Sequence, residues 1–138
     1  MHILIASSSV FRQRNYREAV EVMGHRATTA TDGVECVHRL RAEFPDMLIL
    51  EAPLLWGGTE GVLEVARDEA RLLPLPVILV AVGGGSIDWF QLSRFRIDQF
   101  LFRLPTAQEL SRAVADLAEF TIVGSKFRPA AAGEQVLA

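Results

Sequence analysis

A single cysteine, Cys36, among 138 residues excludes an internal disulfide, and no cysteine pair exists to open a zinc knuckle. The chain is accordingly expected in a reducing, cytoplasmic compartment. Lysine is almost missing: Lys126 stands alone beside thirteen arginines, a bias we read as coding preference rather than function. Positive charge is also in short supply, with a net charge of −3. Phosphate backbones need a clustered positive field, so nucleic acid is not an expected partner. No apolar run reaches the ~20 residues of a membrane span, and no signal peptide precedes the first apolar segment, so a membrane is not expected either. His2, His25 and His38 are scattered, and no spacing joins them or Cys36 into a metal site.

What remains is the composition of an ordinary globule, half apolar and 22% charged, at a length that suits one domain. Three segments read as buried strands: Ile3 to Ala6, Met47 to Leu50 and Val77 to Val82. They are continuous apolar runs rather than alternating ones, as parallel strands covered on both faces are. Weaker strands from Arg26 to Ala30 and from Gln99 to Leu104 make five.

Helical patterns fill the gaps, as crossovers between parallel strands require. The first spans Val10 to Met23, with Tyr16, Ala19, Val20 and Met23 on one face and Ser8 or Ser9 as cap. The second spans Gly33 to Phe44, opened by Asp32 and Glu35. The third carries the stripe Leu63, Ala66, Ala70 and Leu73. A fourth, near Ser86 to Arg94, is short and aromatic. The fifth starts at Thr106, whose partner Glu109 completes a capping box, and buries Leu110, Ala113, Val114 and Leu117. The domain is expected to occupy residues 1–120. Residues 121–138 form an extension that lacks periodicity from Gly124 and is expected to be mobile, while Phe120, Ile122 and Val123 either lengthen the last helix or fold back.

In an open parallel sheet, ligands sit beyond the carboxyl ends of the strands. The loops there begin at Ser7-Ser8-Ser9, Glu51-Ala52-Pro53, Gly83-Gly84-Gly85 and Pro105-Thr106. The three serines have no readable base, which argues against a serine nucleophile. The glycine triplet before Ser86 lacks the spacing and basic partner of a phosphate loop and reads as a turn. No cofactor is implied, and nothing marks an enzyme.

Over residues 2–120 the chain resembles the receiver domains of two-component response regulators. The resemblance rests on Ile3-Leu4-Ile5-Ala6, on Ala30-Thr31-Asp32-Gly33, and on Pro45-Asp46-Met47-Leu48-Ile49-Leu50 leading to position 51. Pro76-Val77-Ile78 and Pro105 extend it. It implies a flavodoxin-like (βα)5 fold, doubly wound, with five parallel strands in the order 2-1-3-4-5. It also implies a phospho-accepting aspartate at position 51, two acidic magnesium ligands after the first strand, a Ser or Thr ending the fourth strand and a Lys on the fifth. In their places stand Glu51, Ser7 with Ser8, Ala81, and either Arg103 or Leu104.

Neutral hydroxyls are poor magnesium ligands, and phosphoryl transfer to a carboxylate needs a divalent ion between two anionic oxygens. The expectation is a degenerate pseudo-receiver: a phosphorylation-independent signalling or adaptor domain. Glu51 is then either a crude mimic of an acyl phosphate or a relic. An Arg103–Glu51 pair would lock the site; the other register turns Arg103 away and leaves Glu51 facing solvent or Ser7. Among the surplus aromatics Trp56, Trp89, Phe90 and Phe95, the first three are the candidate partner contacts. The expected partner is a protein (a kinase, a regulator or a second copy in a homodimer). A conventional or atypical phospho-receiver in a phosphorelay, a homodimeric scaffold and a small-anion site remain as alternatives.

Overall fold

The computed structural model describes residues 1–54, 58–72, 74–82 and 87–127, the side chains of Ala70 and of residues 120–127 excepted. Five strands, β1 (His2–Ala6), β2 (Arg26–Ala30), β3 (Met47–Ala52), β4 (Val77–Ala81) and β5 (Gln99–Leu101), alternate with five helices, α1 (Val10–Val22), α2 (Gly33–Glu43), α3 (Gly58–Asp68), α4 (Trp89–Leu92) and α5 (Ala107–Phe127). The strands pair in parallel in the order β2-β1-β3-β4-β5. This is the expected flavodoxin-like sheet.

Strand pleating sorts the core into two layers. Leu4, Leu48, Leu50, Val77 and Leu79 point to one face, where Cys36 and Leu40 of α2 and Val62, Leu63 and Ala66 of α3 cover them. Ile3, Ile5, Met47, Ile49, Ile78 and Val80 point to the other, under Tyr16, Ala19 and Val20 of α1 and Leu110, Ala113, Val114 and Leu117 of α5. The stripes expected on α1 and α5 are therefore the buried ones, Met23 being only partly covered.

Helix ends follow local chemistry. Ser9 caps α1 by accepting from Arg12 N at 3.1 Å, and Gly24 takes the positive φ of 96° just beyond its end. Asp32 caps α2. Thr106 and Glu109 form the reciprocal capping box at α5. α5 runs through Phe120 to Phe127, so the regular structure continues past the expected domain boundary; residues 128–138 lie outside the described residues.

β5 and α3 are shorter than expected, and α4 covers only Trp89–Leu92 of the expected Ser86 to Arg94, Ser86 itself lying outside the described residues. β5 stops at Leu101 rather than Leu104, because its ladder runs along β4 only as far as Val80↔Leu101, one residue before β4 itself ends. α3 stops at Asp68, and Ala70 sits in a 3-10 turn, since Pro74 and Pro76 force the chain to extend. Leu73 lies outside the described residues. Arg67, at the end of α3, donates to Leu75 O at 2.7 Å, to Arg96 O at 2.9 Å and to Asp98 Oδ2 at 3.3 Å. Asp98 in turn accepts from Val77 N at 2.8 Å. One guanidinium thus ties α3 to the entries of β4 and β5.

Candidate functional site

Glu51 lies on β3 two and four residues after Ile49 and Met47, so the pleat turns it toward the layer formed by α1 and α5. On α1, Arg12 and Tyr16 are four residues apart and share a face. The carboxylate meets that face. Arg12 grips it as a fork, Nε to Oε2 at 2.7 Å and Nη2 to Oε1 at 3.0 Å. The Tyr16 hydroxyl donates to Oε2 at 2.7 Å, and the Ser7 hydroxyl donates to Oε1 at 2.8 Å. Each carboxylate oxygen accepts twice, which fills its in-plane lone pairs.

Glu51 is 0% exposed and the Arg12 side chain 28%. Ser7 and Tyr16 are buried, whereas Ser8 is exposed. Gln13, also buried, donates through Nε2 to Ser7 O at 2.7 Å and to Ala30 O at 3.2 Å. Burial, reinforced by the hydrogen bond to the Glu51 carboxylate, drives the Tyr16 phenol far above its usual range. The same carboxylate raises the Arg12 guanidinium further still.

The arginine at position 51 is Arg12, not Arg103. Arg103 is exposed and bonds Glu109 and Leu104 O. β5 ends before reaching Arg103, which frees that side chain to join the capping turn of α5. Leu104 is 53% exposed and likewise off the strand. Glu51 does face Ser7, as the alternative register had it, but does not face solvent. Ala81 pairs with Ala52, one step from Glu51, and the pleat sends it toward the opposite layer. It brings no polar group to the carboxylate.

The divalent cation implied by the resemblance does not fit the residues present. Ser7 and Ser8 are neutral, the Glu51 oxygens are already saturated, and a fixed guanidinium stands where positive charge would have to bind. Among the described residues no cluster of three or more His, Cys, Asp or Glu side chains comes together. The Gly83-Gly84-Gly85-Ser86 loop and Trp56 lie outside the described residues.

A second feature lies on α4 and β5. Trp89 and Phe90 are 40% and 84% exposed. Trp89 packs against Phe100 and Phe102, with ring centroids 6.2 and 5.9 Å away, and these two stack at 5.4 Å. Phe95 turns inward instead and packs against the core. Sequence reasoning named Trp89 and Phe90 but missed Phe100 and Phe102, although their spacing of two on a strand marks a shared face. It placed Tyr16 in the core without its partner and passed over Arg12 and Gln13. Their signal was the match between an i, i+4 pair on α1 and the pleat of Met47, Ile49 and Glu51.

Solved structures share this fold. The chain is similar to the chemotaxis response regulator CheY4 of Vibrio cholerae, with 12% identity over 84% of this chain and 97% of that one and a TM-score of 0.76. It is similar to the receiver domain of Francisella response regulator 1452 at 19% identity, over 87% and 98% of the two chains, with a TM-score of 0.73. The signal receiver domain of NarL from Mycobacterium tuberculosis matches at 20% identity, over 86% and 95%, with a TM-score of 0.69. No family model matches the sequence, and no curated protein matches it. The architecture is that of response-regulator receiver domains.

Proposed function

We propose that this domain is a receiver-type signalling or adaptor module that acts by protein contact and independently of phosphorylation. The observation that carries this reading is the saturated Glu51 carboxylate. An acyl phosphate forms only if one oxygen has a free lone pair and a cation bridges it to the donor. Here Ser7, Arg12 and Tyr16 occupy both oxygens, and burial keeps a phosphodonor away. The Arg12 pairing also counts against Glu51 as a phosphate mimic, since its single negative charge is cancelled internally.

Contact then has to be made elsewhere. The exposed Trp89, Phe90, Phe100 and Phe102 form an aromatic surface of the kind that anchors protein interfaces, and a kinase, a regulator or a second copy is the partner class. Self-association through this surface is the second reading, and light scattering across a concentration series tests it. No helix among the described residues is long and apolar enough to cross a membrane. In the decisive experiment the protein is incubated with acetyl phosphate and magnesium and its intact mass is measured. We expect no change; a gain of about 80 Da, one phosphoryl group, overturns the proposal.

A further inference from the structure

We infer that the carboxylate at position 51 controls the seating of α1 rather than the α4–β5 edge, so the internal lever of this domain runs from β3 into the α1–α5 layer. Among the described residues, all side-chain donors to the Glu51 carboxylate come from the β1–α1 connection and from α1: Ser7, Arg12 and Tyr16. Gln13, next to Arg12 on the same helix, holds the Ser7 carbonyl just beyond β1 and the Ala30 carbonyl that ends β2. α1 is therefore pinned at the carboxyl ends of three adjacent strands, and at the end of β3 the pin is a charged carboxylate.

Among the described residues, nothing comparable reaches the other edge: no side chain of β4, α4 or β5 makes a polar contact with the Glu51 carboxylate. Ala81 presents a methyl group to the opposite layer, and the Trp89, Phe100 and Phe102 rings contact one another. On the α1 side, Tyr16 also lines a groove of about 530 Å³ between α1 and α5, together with Ala19, Val22, Pro105 and Leu110. A change in the bond between Tyr16 and Glu51 moves one wall of that groove.

Two-dimensional amide NMR spectra of the full chain test this with Glu51→Gln, which keeps the shape and removes the charge, and with Tyr16→Phe, which keeps the ring and removes one donor. The expected result is resonance shifts beyond the linewidth along α1 to Ala19 and Val22 and across the groove at Leu110 and Ser111. The Trp89 indole and the Phe100 and Leu101 amides stay in place. Shifts confined to Ser7, Arg12 and Tyr16, or shifts that reach Trp89, overturn the inference. Should Glu51→Gln fail to fold, Tyr16→Phe carries the test alone. The inference does not depend on which surface a partner uses: phosphoryl uptake bears only on the proposed function, and the pattern of shifts only on the lever.

Discussion

Replacing Arg12 by alanine is the sharpest probe of the carboxylate cluster. The substitution removes the guanidinium that grips the Glu51 carboxylate, a side chain that is 0% exposed in the folded protein. Stranding one member of a buried pair costs about 3–5 kcal/mol. Two features place this case at the low end, about 3 kcal/mol. Ser7 and Tyr16 still donate, and the space left by a side chain that is 28% exposed admits water. With a urea m-value of about 2 kcal/mol/M, the unfolding midpoint falls by about 1.5 M at pH 7. Glu51→Gln should cost less, about 1–2 kcal/mol, because the freed arginine can swing toward solvent whereas the stranded carboxylate cannot. Combining the two changes should recover part of the loss caused by Arg12→Ala alone. Circular dichroism during urea titration measures all three. An Arg12→Ala protein within about 0.5 kcal/mol of the parent, the range of ordinary surface substitutions, would refute the reasoning. It would mean the carboxylate reaches water without help.

Two further outcomes follow from charge and burial. Cys36 is buried, and desolvation pushes its thiol up to about 12, so a thiol reagent at pH 8 should label it only after urea unfolds the chain. Glu35 and Glu109 are both held below the usual glutamate range, Glu35 first by the Thr31 hydroxyl and Glu109 first by the Thr106 backbone N–H. A carboxylate depressed in the folded state adds stability that is complete above its unfolded value, about 4.3, and is lost as pH falls through the folded value. The urea midpoint should therefore decline below about pH 5, and less steeply in a Glu35→Gln, Glu109→Gln double variant.

The sheet was legible because its signals are local. Runs such as Val77 to Ala81 announce a strand covered on both faces, and Thr106 with Glu109 announces a helix start three residues apart. The end of β5 was not local, since it depends on where β4 ceases to offer a partner, and Arg103 was misplaced with it. The Glu51 cluster joins residues 35 to 44 positions apart, a distance that no motif spans. The pleat of β3 and the helical period of α1 were both readable separately. What the chain alone left open was that α1 crosses the sheet with Arg12 above β3. The exposure of Trp89 and Phe90 was readable only as a surplus, since a short helix cannot bury three aromatics, and which of them turns inward was settled by packing.

The Arg67 brace changes how the aromatic edge should behave toward a visitor. Because that guanidinium and Asp98 fasten the approach to β5 from below, Phe100 and Phe102 rise from a stiff footing. Immobilising side chains on association commonly costs about 0.5–1.5 kcal/mol for each one ordered, and rings already stacked have less freedom to surrender. A binder arriving at this edge would meet a template rather than a cushion, so substitutions at Arg67, remote from the rings, should weaken capture through faster dissociation.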